Sequence, residues 1–227
     1  MKIGSLGMGS RGLDCNQPLT TADLENIRRW NAKRGDALQY RFAIRYIRRT
    51  TQHDYDVSCS EISRIFTAGL GLMLVQHVAP EGWRPSSQLG AEYGATAASE
   101  ALSVLYPAGA TLWCDLEGVA AKVPAADVIA YCNAWYDAVV GAGYLPGLYV
   151  GDSCGLNASD LYYKLKFTLY WSAYNLNRDN YPVVRGVAMR QLAYPKPADR
   201  VTGLDFQYDE DLIIGDAKNS FPVLALP

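Results

Sequence analysis

The segment ATLWCDLEG, Ala110–Gly118, predicted as a strand, decides how this chain is read. Within it the apolar run Thr111–Cys114 is followed by two acids, Asp115 and Glu117, at alternate positions. Side chains two residues apart on a strand share a face, so both carboxyls point the same way from Cα atoms about 6.6 Å apart. Acids on a core-facing strand are costly to bury, and they end either as solvated turn or cap residues or in a site that uses them. Downstream, Pro124 opens a helical stretch, DVIAYCNAWYDAVVGAG, that ends at Gly143, and a second apolar strand, LPGLYVG, covers Leu145–Gly151. Upstream, a strand at Leu70–Val78 precedes a helix at Leu89–Leu105, whose small residues Ala91, Ala95, Ala98 and Ala101 suit close packing on a sheet. Strands alternating with helices in this way predict a parallel sheet with right-handed crossovers.

The alternation continues to both ends. Further strands are predicted at Gly12–Gln17, Tyr40–Ile47, Thr168–Tyr174, Val187–Tyr194 and Gly203–Asp209. TTADLENIRRWNAK reads as a helix capped by Thr20 or Thr21, with Leu24, Ile27 and Trp30 at helical spacing. SCSEISRIFTAG reads as a helix capped by Ser58 or Ser60 and stopped at Gly69, and NASDLYYKL as a short one. Eight strands predict an α/β protein: one closed (β/α)8 TIM-like barrel over residues 1–227, irregular in its last two β/α units, where the crossovers are short. The Gly-rich start, residues 1–10, reads as a flexible arm. A doubly wound open sheet is the alternative fold, but its phosphate-type glycine turn should follow the first strand, and GSLGMGSRG precedes it.

Composition narrows the function. Of 227 residues, 49% are hydrophobic and 19% charged, enough for a full core. The net charge is −2 and no Lys/Arg block occurs, which argues against nucleic acid as a partner. No run reaches the ~18 apolar residues of a membrane span, so stable membrane insertion is not expected. The N-terminus has no signal-peptide-like apolar stretch; the expectation is cytoplasmic synthesis followed by release or delivery to the cell wall. The five cysteines lack metal-type or disulfide-framework spacing and read as buried reduced thiols.

In a parallel barrel the site forms where the strands end, so acids at those ends carry information. Asp14 lies on the first strand, Asp115 and Glu117 on the fourth and Asp209 at the end of the eighth, with Asp211 as a competitor for that last position. Carboxyls gathered at one mouth repel each other, and at least one should hold its proton near neutrality. A proton donor beside an ionised carboxylate is what glycoside cleavage needs. Tyr46, His77, Tyr149, Trp171 and Gln191 stand at other strand ends, where aromatic rings can stack on sugars and polar groups can bond hydroxyls. Arg45 is placed either against the acid cluster or in an ion pair with one acid, whereas Asp54, Asp56 and Glu61 read as solvated.

These residues carry a resemblance. RGLDCNQP, RYI, TAGLGLMLV, YGATAASEA, WCDLEG, PGLYVG, YWSAYN and RQLAY resemble, in order, the glycoside-hydrolase-like domain family 1906, formerly of unknown function, which is similar in turn to the family 25 lysozymes of phage endolysins and autolysins. The resemblance implies a muramidase-like hydrolase that cuts peptidoglycan glycan strands between N-acetylmuramic acid and N-acetylglucosamine. It implies Glu117 as general acid, Asp115 either as the residue orienting or polarising the substrate's acetamido group or as a partner of Asp209 in stabilising the oxocarbenium-like state, and Asp14 as the residue that holds the network and positions water. No cofactor or metal and a monomeric state are expected. A non-catalytic wall-binding barrel is the alternative, and an acid-held Mg²⁺ or Mn²⁺ hydrolase a third reading.

Overall fold

The computed structural model describes residues 2–227 as a closed eight-stranded barrel with two further strands beneath it. The barrel strands are β2 (Arg11–Cys15), β3 (Tyr40–Ile47), β4 (Gly71–Gln76), β5 (Thr111–Leu116), β6 (Leu145–Val150), β7 (Tyr170–Ser172), β8 (Met189–Leu192) and β9 (Asp209–Ile213). Consecutive strands pair in parallel from β2 to β8. Closure departs from the all-parallel expectation: β9 runs antiparallel to both β8 and β2. The last strand was predicted over Gly203–Asp209, but Asp209 begins β9, and most of the preceding segment is loop. Because β9 is reversed, its first residue, and not its last, reaches the mouth.

Helices α1 (Thr21–Asn31), α2 (Cys59–Thr67), α3 (Ser87–Ser103), α4 (Ala125–Gly141) and α5 (Ala158–Tyr163) cover the barrel. Thr20 caps α1 in a reciprocal capping box with Asp23, and Ser58 caps α2 through the Glu61 amide. As expected, the last two crossovers lack α-helices and hold only short 3-10 turns at Arg178–Asn180 and Pro197–Asp199. On α3 the close packing falls on Gly90, Gly94, Ala97 and Ala98, while Ala91 and Ala95 are exposed. A Cβ on Gly90 would lie 2.1 Å from the Tyr131 carbonyl of α4, so the small residues serve helix–helix contact as well as the sheet.

The expected arm is in part a strand. β1 (Lys2–Ser5) pairs antiparallel with β10 (Val223–Leu226), which joins β4 at its lower end through Ala225 and Leu72. The Val223 amide donates to the Thr111 hydroxyl at 2.9 Å, so the two chain ends close the floor beneath β4 and β5.

Strand alternation separates two cores. Leu72, Leu74, Leu112, Cys114, Leu116 and Leu148 face the helices. Phe42, Ile44, Met73, Val75, Trp113, Trp171, Met189, Ile213 and Leu224 fill the barrel. Cys15, Cys114, Cys132 and Cys154 are buried free thiols as expected, but Cys59, at the start of α2, is exposed. Among the described residues, no helix is long and apolar enough to cross a membrane.

The interior rings need room on the neighbouring strands. A Cβ on Gly147 of β6 would sit 2.3 Å from the Trp113 ring, which is itself fully buried. Gly147→Ala therefore overpacks the barrel and should lower stability by about 1–3 kcal/mol, read as a drop in thermal midpoint. An unchanged midpoint would contradict this account of the interior.

Candidate active site

Reading the inward positions upward along each strand leads to one cleft. β2 contributes Asp14, β3 Tyr46, β5 Asp115, β6 Tyr149, β7 Trp171, β8 Gln191 and β9 Asp209, with Glu117 just beyond the end of β5. Two adjoining cavities of about 370 and 270 Å³ share Asp14, Tyr46, Asp115, Glu117 and Asp209 as lining. The four acids predicted from strand ends are thus brought together. The β2–β9 register sets Asp209 opposite Asp14 and Asp211 opposite Gly12, one pleat deeper. Asp209 stands at the rim and Asp211 is fully buried below it, so the two candidates for the last acid occupy two levels of one wall.

Asp14 is the hub. Its Oδ2 accepts from Gln191 Nε2 at 3.0 Å and its Oδ1 from the Tyr46 hydroxyl at 3.3 Å. Gln191 accepts in turn from the Tyr149 hydroxyl at 2.9 Å, which orients its amide toward Asp14. Burial pushes the Asp14 carboxyl up to about 7; the Gln191 hydrogen bond opposes this, and the charge of Asp209 adds to it. Asp115 is held well above the carboxylate range by burial first, then by the charges of Glu117 and Asp14. Burial also raises Glu117, with Asp152 adding to it, and burial raises Asp209. Asp211 is raised well above its ordinary value by burial and then by Asp14. Among the described residues, Asp115 Oδ1, both Asp211 oxygens and Trp171 Nε1 are buried without a hydrogen-bond partner. Burial thus favours the protonated form of every acid in the cluster, and its uppermost members face open space.

The remaining predicted residues divide. Trp171 is 1% exposed and packs edge-on against Tyr149 and Trp113, with centroids 4.5 and 5.6 Å away, so it forms the floor of the cleft. Tyr149 is spent on Gln191. His77 lines the cleft and stacks on Tyr46, but its Nε2 is bonded to Asp56 Oδ1 at 2.7 Å, and burial lowers its pKa. Asp56 and Glu61, expected in solvent, are both buried. Asp56 also accepts from the His53 amide and ties that loop to His77. Arg45 points away from the acid cluster, because alternation turns it toward the helices. There it pairs with Glu61 at 2.6 Å and donates to the carbonyls of Cys15 and Tyr55. Among the described residues, no group of three or more His, Cys, Asp or Glu side chains is arranged to hold a metal ion.

Sequence reasoning missed Tyr174, which lines the cleft while half exposed, and Trp83, whose indole donates to the Glu117 carbonyl at 2.8 Å. Trp83 lies in a Gly/Pro-marked connection that reads only as a loop. A lone aromatic residue between Gly82 and Pro85 was the available cue.

Raised carboxyls make stability depend on pH. The folded protein keeps protons that the unfolded chain releases near pH 4, so these groups lower stability as pH rises from there through their raised values. Asp211→Asn removes one such group and should raise the thermal midpoint at pH 8, with the gain vanishing at pH 4. Parallel midpoint-versus-pH curves for variant and wild type would refute the assignment.

Residues 35–199 match the family described as Rv2525c-like, glycoside hydrolase-like domain. The fold resembles the Tat-secreted protein Rv2525c of Mycobacterium tuberculosis (15% identity, TM-score 0.62, 91% of this chain and 96% of that one). It also resembles the catalytic domain of endolysin ply40 from bacteriophage P40 of Listeria monocytogenes (22%, 0.61, 92% and 95%). A muramidase from Acremonium alcalophilum is similar as well (16%, 0.58, 92% and 95%). At these identities the likeness is one of fold. No curated protein sequence matches the chain.

Proposed function

This chain belongs to the Rv2525c-like, glycoside hydrolase-like family, and from that premise we propose that it hydrolyses the β-1,4 bond between N-acetylmuramic acid and N-acetylglucosamine in peptidoglycan. One observation carries the reading: Asp14, the Asp115 and Glu117 pair, and Asp209, from three distant stretches of the chain, line one cleft at the barrel mouth. Endolysin and muramidase folds among its structural neighbours support the choice of substrate.

Glu117 is the general acid. It is the acid of the pair that extends past the strand into the open cleft, and burial together with Asp152 favours its protonated form. Its proton passes to the glycosidic oxygen as the bond to the sugar breaks. Asp115, beside it and deeper, orients the acetamido group, whose oxygen attacks the anomeric carbon from the opposite face; this substrate-assisted course is a recognised alternative to a protein nucleophile. Asp209 at the rim faces the positive charge that develops on the sugar, and Asp14, fixed by Gln191 and Tyr46, holds the network around it. Water then opens the oxazolinium intermediate as Glu117 recovers a proton from it. In this reading the protein acts alone on the wall, as a phage endolysin or a delivered effector, and needs no cofactor.

Glu117→Gln keeps the shape and removes the proton. Release of muropeptides from purified sacculi should fall by about 100-fold or more. Wild-type activity should decline as pH rises through the elevated Glu117 value, because the acid must be protonated. Equal release by both proteins would end the enzymatic reading and favour a barrel that only binds glycan.

A further inference from the structure

Glu117 is the first residue past the end of β5, outside the ladder that aligns Asp115 with Tyr149. Its position must therefore come from something other than strand pairing, and two contacts meet on it. The first acts on its backbone. The Trp83 indole N–H donates to the Glu117 carbonyl at 2.8 Å. That indole is itself held: its ring packs edge-on against Tyr131 of α4, with centroids 4.8 Å apart. Its main chain is tied to the same segment, since Trp83 pairs with Val119 and its carbonyl accepts from the Ala120 amide at 2.9 Å. One residue earlier, the Gly82 amide donates to the Gly118 carbonyl at 2.7 Å. The loop after β4 thus clasps the chain at Glu117 and over the three residues that follow it.

The second contact acts on the side chain. Gly151 follows β6, and its amide donates to the Leu116 carbonyl at 3.1 Å, which brings its Cα beside Glu117. A Cβ built on Gly151 would lie 2.1 Å from Glu117 Oε2 and 2.6 Å from Glu117 Cβ. The carboxyl occupies the volume that any other residue at 151 would fill. Asp152 comes next in sequence, and its carbonyl accepts from the Gly118 amide at 2.9 Å.

We propose that Trp83 and Gly151 are positioning residues for Glu117, the indole fixing its backbone and the bare glycine leaving the one space in which its carboxyl enters the cleft. The catalytic consequence rests on the proposed function; the geometric claim does not. A proton donor must lie within hydrogen-bond reach of the oxygen it serves, and small displacements of such a group are expensive.

The test uses the whole protein and two variants. Trp83→Phe keeps a ring against Tyr131 and removes only the N–H. On soluble glycan strands from peptidoglycan, kcat should fall about five- to tenfold, the size of one lost hydrogen bond, with KM held within about twofold. Gly151→Ala displaces the carboxyl itself, and kcat should fall by about 100-fold. Its clash includes Glu117 Cβ at 2.6 Å, which a rotamer change alone cannot relieve, so the thermal midpoint should also fall, by about 2–4 °C for each kcal/mol lost, and kcat is compared well below both midpoints. Wild-type kcat in both variants would overturn the proposal. Should Trp83→Phe fail to fold, Gly151→Ala alone decides it by the same criterion. Carbon-13 NMR titration of the Glu117 carboxyl gives a readout that needs no turnover. In both variants its midpoint should move down toward that of an ordinary glutamate as the group swings into water. Titrations superimposable on wild type would overturn the proposal. If the wild type cleaves no glycan, the proposed function falls, and this titration still decides the positioning claim.

Discussion

Carboxyl groups buried in a barrel without cations to pair them are the constraint on which this structure turns. Asp14, Asp115 and Asp211 lie almost wholly out of water, and three of their oxygens have no hydrogen-bond partner. Such groups stay folded only by keeping protons or by facing a cavity that a polar ligand can enter, and an interior this polar weakens the protein. The surrounding structure compensates. Below the acids, Trp113, Trp171, Phe42, Met73 and Ile213 fill the barrel, and the paired chain ends close its floor. The mouth can be acidic because the lower barrel is tightly packed with apolar side chains.

The reversed β9 is what completes the cluster. A parallel eighth strand would bring the end of its run to the mouth. The antiparallel strand instead begins there, so Asp209, opposite Asp14, takes the rim and Asp211, opposite Gly12, the level beneath. The connection from Leu192 to Asp209 holds only the 3-10 turn at Pro197–Asp199, and the chain enters β9 from the mouth. The irregular final units and the depth of the acid site are therefore one feature of the fold.

Acids elsewhere show how strongly strand alternation governs chemistry. Glu61 is as buried as any acid at the mouth, yet it meets Arg45 on the helix-facing side of β3 and forms a closed ion pair. One residue along, Tyr46 turns inward and reaches Asp14. Asp56 is likewise satisfied by His77, which fixes a loop at the edge of the cleft. Paired acids of this kind organise the scaffold, whereas those at the mouth, among the described residues, have no cation beside them, and burial raises their carboxyls. The family membership and the endolysin and muramidase folds around it are in keeping with a glycosidase scaffold of this design.

Local sequence determined what depends on neighbours in the chain. The apolar run ending in Asp115 and Glu117 showed both the strand and the shared face of its acids, and Asp14 was legible in the same way. Thr20 and Ser58 announced their helices because capping is decided within a single turn. What depends on partners distant in sequence was decided only by folding. The direction of β9, the levels at which Asp209 and Asp211 lie, the strand made by the N-terminal residues, the burial of Asp56 and Glu61 and the grip of Trp83 on Glu117 all belong to that class. Each rests on a hydrogen bond or ion pair whose other half lies tens of residues away, and the order of residues along a chain records no distance across it.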